Sequence, residues 1–108
     1  MTAMKEGEFI ALAEATLERI SDALERSAVE CDCELKAGGV LELEFGDGSR
    51  IVVNRQFSAQ ELWVAAKSGG YHFRWDGEKW INTRDASELF AALSELVSRQ
   101  SGQTVTLR

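Results

Sequence analysis

The sequence predicts an α+β two-layer sandwich, with N- and C-terminal helices packed on one face of a roughly six-stranded antiparallel sheet whose other face is open to water. Apolar residues recur at three- and four-residue steps near both ends of the chain, which is typical of helices with one buried face. Between them, short segments alternate apolar and polar residues and are separated by tight turns, which favours an antiparallel meander. A chain of 108 residues is expected to form one domain, spanning residues 1–108.

The first helix is predicted over residues 6–27. Its buried stripe is expected to consist of Phe9, Leu12, Ala13, Leu17, Ile20 and Leu24. Its acidic residues recur at steps of four, four and three, at Glu14, Glu18, Asp22 and Glu25. At about 100° per residue these acids fall within roughly an 80° arc, turned away from much of the apolar stripe.

The strands are predicted where the period changes to two. In the first strand, Cys31, Cys33 and Leu35 face one way and Glu30, Asp32 and Glu34 the other. The second alternates Leu41, Leu43 and Phe45 with Glu42 and Glu44, and forms a hairpin with the first across Gly38-Gly39. The remaining strands are predicted over residues 50–56, 62–67, 71–75 and 79–82.

The last helix is predicted over residues 86–100. Asp85 is placed to cap it, with Glu88 three residues later in the arrangement of a capping box, and Gly102 is expected to end it. The buried stripe of this helix is expected to comprise Leu89, Phe90, Leu93, Leu96 and Val97.

Acidic charge is concentrated in the first part of the chain. The first 48 residues contain 12 of the 18 acids but only 4 of the 12 bases, so they carry −8 while the remainder carries +2. Binding to nucleic-acid phosphates requires a basic stripe, so nucleic acid is disfavoured as a partner. Basic proteins and hard cations are the partners that this charge favours.

Two further features bear on location. No apolar run approaches the roughly 20 residues that span a bilayer. The first nine residues are too acidic for a signal peptide. These features predict a cytoplasmic protein that does not contact a membrane.

Seven acids are candidate metal ligands, because a short turn between the helix and the first strand could merge their carboxylates into one surface. We call this set the acidic ridge: Glu14, Glu18, Asp22, Glu25, Glu30, Asp32 and Glu34. A solvated face that serves only solubility is the alternative. However, like charges four residues apart destabilise a helix by about 0.2–0.5 kcal/mol per pair. Asp22 and Glu25 also lie near the helix C-terminus, where the macrodipole disfavours anions, and Arg26 relieves Asp22 only in part.

The ligand chemistry of the acidic ridge favours hard ions. Oxygen ligands without histidine or thiolate suit Fe³⁺, Mg²⁺, Ca²⁺ or Mn²⁺, and hold Fe²⁺ or Co²⁺ less selectively. Because the side chains would be exposed and water would complete the shell, binding is expected to be weak and reversible. The spacing matches neither an EF-hand loop nor a closed zinc site.

The two cysteines and the single histidine offer little evidence of catalysis. Cys31 and Cys33 lack the spacing of a redox or zinc motif, so core packing is favoured, and a disulfide between them would have poor geometry. His72 alternates with Tyr71 and Phe73 and is expected to face solvent, where a surface role is favoured over catalysis. No serine lies in a GxSxG context.

Trp63 marks a possible second surface. If Leu62, Val64 and Val53 face the core, Trp63 projects from the open side of the sheet together with Asn54 and Gln56. A large aromatic beside amide groups is the usual composition of an interface anchor. The alternative is that neighbouring side chains cover it. Trp75 and Trp80 are expected in the core or at its rim.

Taken together, these residues resemble the bacterial frataxins of the CyaY type. The resemblance rests on Asn54-Arg55-Gln56, Trp63, the run from Gly69 to Phe73 and Trp80-Ile81, with support from the acidic first helix, Asp32-Cys33-Glu34 and Gly38-Gly39-Val40-Leu41. It covers essentially the whole chain. The family's helix–sheet–helix fold agrees with the fold predicted from periodicity.

The resemblance implies a non-enzymatic role in iron–sulfur cluster assembly. It implies weak binding of Fe²⁺ or Fe³⁺ on the acidic ridge, and docking on the cysteine desulfurase and the scaffold protein to regulate cluster formation or supply iron. It places Asn54, Gln56, Trp63 and His72 on the family's exposed sheet surface and implies a monomer, with iron-dependent oligomerisation as the alternative. The first helix departs from the family in lacking acids at Ala23, Ser27 and Ala28, which disfavours high iron stoichiometry.

Two other functions compete with this one. The first is a protein-interaction adaptor for which metal binding is incidental. The second is a ferroxidase, which would normally need buried carboxylates with histidine on facing helices and is therefore the weakest candidate.

Overall fold

The computed structural model describes residues 4–108 and confirms the predicted two-layer sandwich. Residues 1–3, which belong to the segment that we judged too acidic for a signal peptide, lie outside it. The elements follow in the order α1 (Glu6–Ser27), β1 (Cys31–Lys36), β2 (Val40–Phe45), β3 (Arg50–Gln56), β4 (Glu61–Ala66), β5 (Gly69–Trp75), β6 (Trp80–Asn82) and α2 (Leu89–Ser101). The sheet keeps this strand order, and every neighbouring pair is antiparallel.

One hydrophobic core lies between the helices and the inner face of the sheet. Helix α1 buries its predicted stripe, except that Leu12 is only partly buried. The inner face of the sheet contributes the alternate apolar residues Leu41, Leu43, Phe45, Ile51, Val53, Leu62, Val64 and Phe73. Neither α1 nor α2 covers the opposite face of the sheet. Among residues 4–108, no helix is both long and apolar enough to cross a membrane.

Strand β1 is less buried than its alternation suggests. Cys31 and Cys33 are half-buried against the core, as predicted, but Leu35 is 49% exposed. Strand β1 is the edge of the sheet, so no strand lies beyond it, whereas Leu41, its partner on β2, is fully buried. Both cysteines are free thiols.

The bounds of four elements differ from the prediction. Strand β6 begins at Trp80 instead of residue 79. Strand β4 begins at Glu61 and ends at Ala66, and β5 includes the glycines that we expected to precede it. Helix α2 begins at Leu89, and its N-cap is Glu88, whose carboxylate accepts hydrogen bonds from the N–H groups of Phe90 and Ala91. The predicted cap, Asp85, instead accepts from the N–H and hydroxyl of Ser87.

The C-terminal segment beyond α2 completes the core. Val105 and Leu107 are buried, and Thr104 and Thr106 alternate with them at the surface. The hydroxyls of Ser94 and Ser98 on α2 accept hydrogen bonds from the N–H groups of Leu107 and Val105, so they replace the neighbouring strand that this segment lacks. We did not predict this segment, because two apolar residues are too few to define a strand.

Candidate metal and partner surfaces

All seven residues of the acidic ridge are exposed. Helix α1 lies beside the edge strand: the Cys33 Sγ is 3.8 Å from the Ser21 Oγ, and Glu14 and Glu18 line a groove with Leu35 and the β1–β2 turn. The carboxylates on α1 therefore follow one side of the sheet edge.

The carboxylates on β1 lie on the other side of that edge. Asp32 is opposite Glu44, and Glu34 is opposite Glu42, on the face of the sheet that the helices leave open. The acidic ridge, predicted as one carboxylate surface, thus consists of two groups of acids that lie on the two sides of the β1 edge. Glu42 and Glu44 extend the acidic ridge on this face, whereas the sequence predicted for them only a position on a solvent-exposed strand face.

Basic residues neutralise part of this charge. Arg50 lies within 4 Å of both Glu42 and Glu44, and the Lys36 Nζ is 3.1 Å from Glu42. Like charges opposite each other on neighbouring strands are destabilising, which explains the bases beside Glu42 and Glu44. Within residues 4–108, Asp32 and Glu34 form no ion pair.

Among the ion pairs within residues 4–108, Glu14 is the only member of the acidic ridge that is paired with a base. The Arg55 Nη1 is 2.9 Å from its carboxylate. Arg55 reaches it by lying across Gly39, where a Cβ atom would be only 2.5 Å from the Arg55 Cδ. Arg26, which we expected beside Asp22, instead donates to the carbonyl of Arg108.

The ridge carboxylates do not converge on a preformed metal site. In the part of the chain that the structure describes, no group of three or more histidine, cysteine, aspartate or glutamate residues is close enough to hold a metal ion. A cation on this surface would be held by one or two exposed carboxylates, with water as its other ligands.

Burial raises the pKa of both cysteine thiols. For Cys31 the charges of Cys33 and Asp32 raise the pKa further, while for Cys33 a hydrogen bond with Ser21 lowers it and the charge of Glu25 raises it. A raised pKa reduces the thiolate fraction, and the thiolate is the form that binds metals and reacts with electrophiles. Neither thiol is therefore suited to be a strong ligand near the acidic ridge.

The open face of the sheet carries the second surface. The register places Asn54 beside Trp63 and Trp63 beside His72, on three consecutive strands, and Gln56 lies on the same face. The rings of Trp63 and His72 are stacked, with centroids 4.4 Å apart and planes 9° apart. All four predicted partner-binding residues thus share one face, with Trp63 partly covered and His72 exposed.

Sequence analysis missed Glu61, the residue at the centre of this surface. It is only 5% exposed, and its carboxylate accepts hydrogen bonds from the Trp63 Nε1 at 2.9 Å and from the Arg74 Nη2 at 2.6 Å. The His72 Nδ1 lies 3.7 Å from the same carboxylate. A signal was present, because Glu61 is two residues before Trp63, but we began this strand at Leu62.

Trp75 and Trp80 do not belong to this surface. Trp80 is buried and Trp75 half-buried, as expected for the core and its rim. Their rings contact each other edge-on at 5.5 Å, and Trp80 also contacts Phe9 at 6.3 Å.

Comparisons with known proteins agree on one family. The profile of the frataxin-like domain matches residues 2–103. The iron–sulfur cluster assembly protein CyaY of Dechloromonas aromatica is 54% identical over 105 residues, which cover 97% of this chain and all of that protein. CyaY of Herminiimonas arsenicoxydans is 56% identical, with 97% of both chains covered.

Solved structures extend the comparison. The frataxin of Psychromonas ingrahamii has a TM-score of 0.89 and 31% identity, over 95% of this chain and 97% of that one. Trimeric yeast frataxin, solved with ferrous iron, has a TM-score of 0.66 at 24% identity over 95% and 91% of the two chains, a similarity of fold alone.

Proposed function

This chain belongs to the frataxin-like family, and from that premise we propose that it binds iron weakly and docks on the cysteine desulfurase and scaffold complex of iron–sulfur cluster assembly. Its role there is to regulate cluster formation or to supply iron, without catalysing a reaction. The observation that carries the proposal is the acidic ridge, seven exposed carboxylates around one edge of the sheet. The bacterial relatives, which are named iron–sulfur cluster assembly proteins, support a role in the same process.

The chemistry of the ridge supports reversible iron binding. Exposed carboxylates with water in the remaining positions give low affinity and little distortion of the protein on release. A ferroxidase would need carboxylates and histidine together, but His72 lies on β5, four strands away from β1 in the sheet. We therefore assign the ridge to binding and not to oxidation.

A cation titration tests the metal half of the proposal. Adding Co²⁺ or Fe²⁺ without oxygen is expected to perturb the amide NMR signals of residues 14–34 first. The double variant Glu18→Gln/Asp22→Asn should bind more weakly, whereas Glu78→Gln/Glu95→Gln, which removes the same charge elsewhere, should bind like the wild type. Perturbations scattered over the whole chain, or equal weakening in both variants, would contradict the proposal.

An adaptor with incidental metal binding is the second candidate, and two observations favour it. Arg55 already neutralises Glu14, and no three carboxylates within residues 4–108 converge on one point. Charge reversal of Glu18 and Asp22 separates the candidates. If the protein is an adaptor, the variant loses desulfurase binding equally with and without iron. If it is an iron-dependent regulator, iron no longer changes the affinity of the variant for the desulfurase.

A further inference from the structure

Glu61 is a buried carboxylate in an unusual place. It points to the open face of the sheet, because its register partners Gln56 and Arg74 lie on that face. Neither α1 nor α2 covers this face, yet only 5% of Glu61 is exposed. The side chains that contact its carboxylate, Trp63 and Arg74, are therefore among those that shield it from water.

A contribution to stability does not account for this arrangement. Removing a carboxylate from water is costly, and buried ion pairs are often no more stabilising than apolar residues of similar size. The contacts of the Glu61 carboxylate also join neither helix to the sheet, since its partners lie on the neighbouring strand β5 and on β4 itself. What it does determine is the position of side chains at the surface.

Each contact fixes a specific part of that surface. The hydrogen bond from the Trp63 Nε1 to Glu61 sets the rotation of the indole, and the stacked His72 ring packs against one of its faces. The bond from the Arg74 Nη2 fixes a guanidinium whose side chain is otherwise 63% exposed. Side chains held in place before association lose less conformational freedom when a partner binds, which increases affinity.

We infer that Glu61 is a positioning residue for partner docking: its buried carboxylate holds Trp63 and Arg74 in the orientation that the desulfurase and scaffold complex recognises. Glu61 does not itself contact the partner. This inference rests on the proposed docking function and assigns a specific residue to it.

Three variants test the inference against that purified complex. Glu61→Ala removes both hydrogen bonds and is expected to weaken binding about tenfold, because Trp63 and Arg74 must then be ordered when the partner binds. Glu61→Gln keeps an acceptor for the indole but loses the charge beside Arg74, so a smaller loss of about two- to fivefold is expected, because neutral hydrogen bonds are roughly half as strong. Glu95→Ala, which removes an exposed, arginine-paired carboxylate on α2 outside both candidate surfaces, is the matched control and should bind like the wild type.

A spectroscopic measurement separates positioning from a general loss of structure. The indole N–H signal of Trp63, assigned from the spectrum of Trp63→Phe, should exchange with water faster in Glu61→Ala than in the wild type and in Glu95→Ala. The indole signals of Trp75 and Trp80 should not change. Unchanged exchange at Trp63, or wild-type affinity in Glu61→Ala, would overturn the inference. If Glu61→Ala does not fold, Glu61→Gln decides, and wild-type affinity in that variant overturns it.

Trp63→Ala distinguishes this inference from the docking proposal. If Trp63→Ala loses affinity and Glu61→Ala does not, docking through this face stands and the positioning role fails. If Trp63→Ala binds like the wild type, this face does not dock and the inference fails, whereas docking through the acidic ridge still stands.

Discussion

At the scale of single residues, one buried hydrogen bond connects α1 to the far end of the sheet. The Trp80 Nε1 donates to the Thr16 Oγ1 at 2.9 Å, and both side chains are buried. Thr16→Val keeps the shape of the side chain but leaves the indole N–H without a partner. We expect the free energy of unfolding to fall by about 1–3 kcal/mol, the cost of an unsatisfied buried donor, measured by urea denaturation.

The control for this prediction is Thr106→Val, the same substitution at an exposed position in the C-terminal segment. Its free energy of unfolding should stay within about 0.5 kcal/mol of the wild type, as for most surface changes. Equal losses in the two variants would show that the hydrogen bond between Trp80 and Thr16 contributes nothing specific.

The two thiols permit a prediction about pH. Burial raises the pKa of Cys31 and of Cys33 above the ordinary thiol value. Because the protonated form is favoured in the folded state, the thiolate fraction at pH 8 is lower than in unfolded chain. Alkylation by iodoacetamide should therefore be several-fold slower in native protein than in urea. The midpoint of the curve of rate against pH should lie at a higher pH in the native protein. Single Cys→Ser variants assign each rate, and equal native and unfolded rates would contradict the prediction.

At the scale of elements, the start of α2 shows that an acidic N-cap can be predicted correctly but assigned to the wrong residue. Asp85 and Glu88 have the spacing of a capping box, but Ala86 has a positive φ of 63° and Glu88 is itself the N-cap. An antiparallel bridge from Ile81 to Glu88 closes the turn between β6 and α2, and the helix begins only after this bridge, at Leu89. The local sequence did not indicate this later start of the helix.

The corrected cap leads to a paired prediction. Glu88→Ala removes the acceptor for two N–H groups and should lower the free energy of unfolding by about 0.5–2 kcal/mol. Asp85→Ala removes a turn contact with Ser87 but no cap, so a smaller loss is expected. Urea denaturation of both variants measures the difference. A larger loss for Asp85→Ala would restore the cap that the sequence suggested.

Elsewhere, the elements could be predicted wherever a local period determined them. Helix α1 and β3 have the predicted bounds, because a continuous apolar stripe and the flanking turns define them. Strand β1 was predicted with the correct faces, but the exposure of Leu35 depends on its being an edge strand, and alternation does not reveal strand order.

At the scale of the whole molecule, the candidate surfaces were predictable in composition but not in shape. Exposure of the acidic ridge follows from amphipathicity alone. Its division between two sides of the β1 edge depends on the packing of α1 across the sheet, and the joining of Glu61 to Arg74 depends on the pairing of β4 with β5. Both are long-range relations that no local pattern encodes.

The two surfaces differ in charge, so they should contribute in different ways to the proposed docking. Electrostatic attraction accelerates encounter and is screened by salt, whereas a packed aromatic mainly slows dissociation. Charge reversal by Glu18→Lys/Asp22→Lys is expected to reduce the association rate with the desulfurase and scaffold complex by about tenfold at low salt. Trp63→Ala is expected to increase the dissociation rate at every salt concentration.

Surface plasmon resonance measures both rates. We would compare about 0.05 M and 0.5 M salt, where the Debye lengths are roughly 14 and 4 Å. The control is Glu78→Lys/Glu95→Lys, which changes the net charge from −6 to −2 as the ridge reversal does but lies elsewhere. If net charge alone governed docking, both reversals would slow association equally. A deficit that is specific to the ridge reversal and disappears at high salt, beside a Trp63→Ala effect that persists, would assign encounter to the acidic ridge and retention to the sheet face.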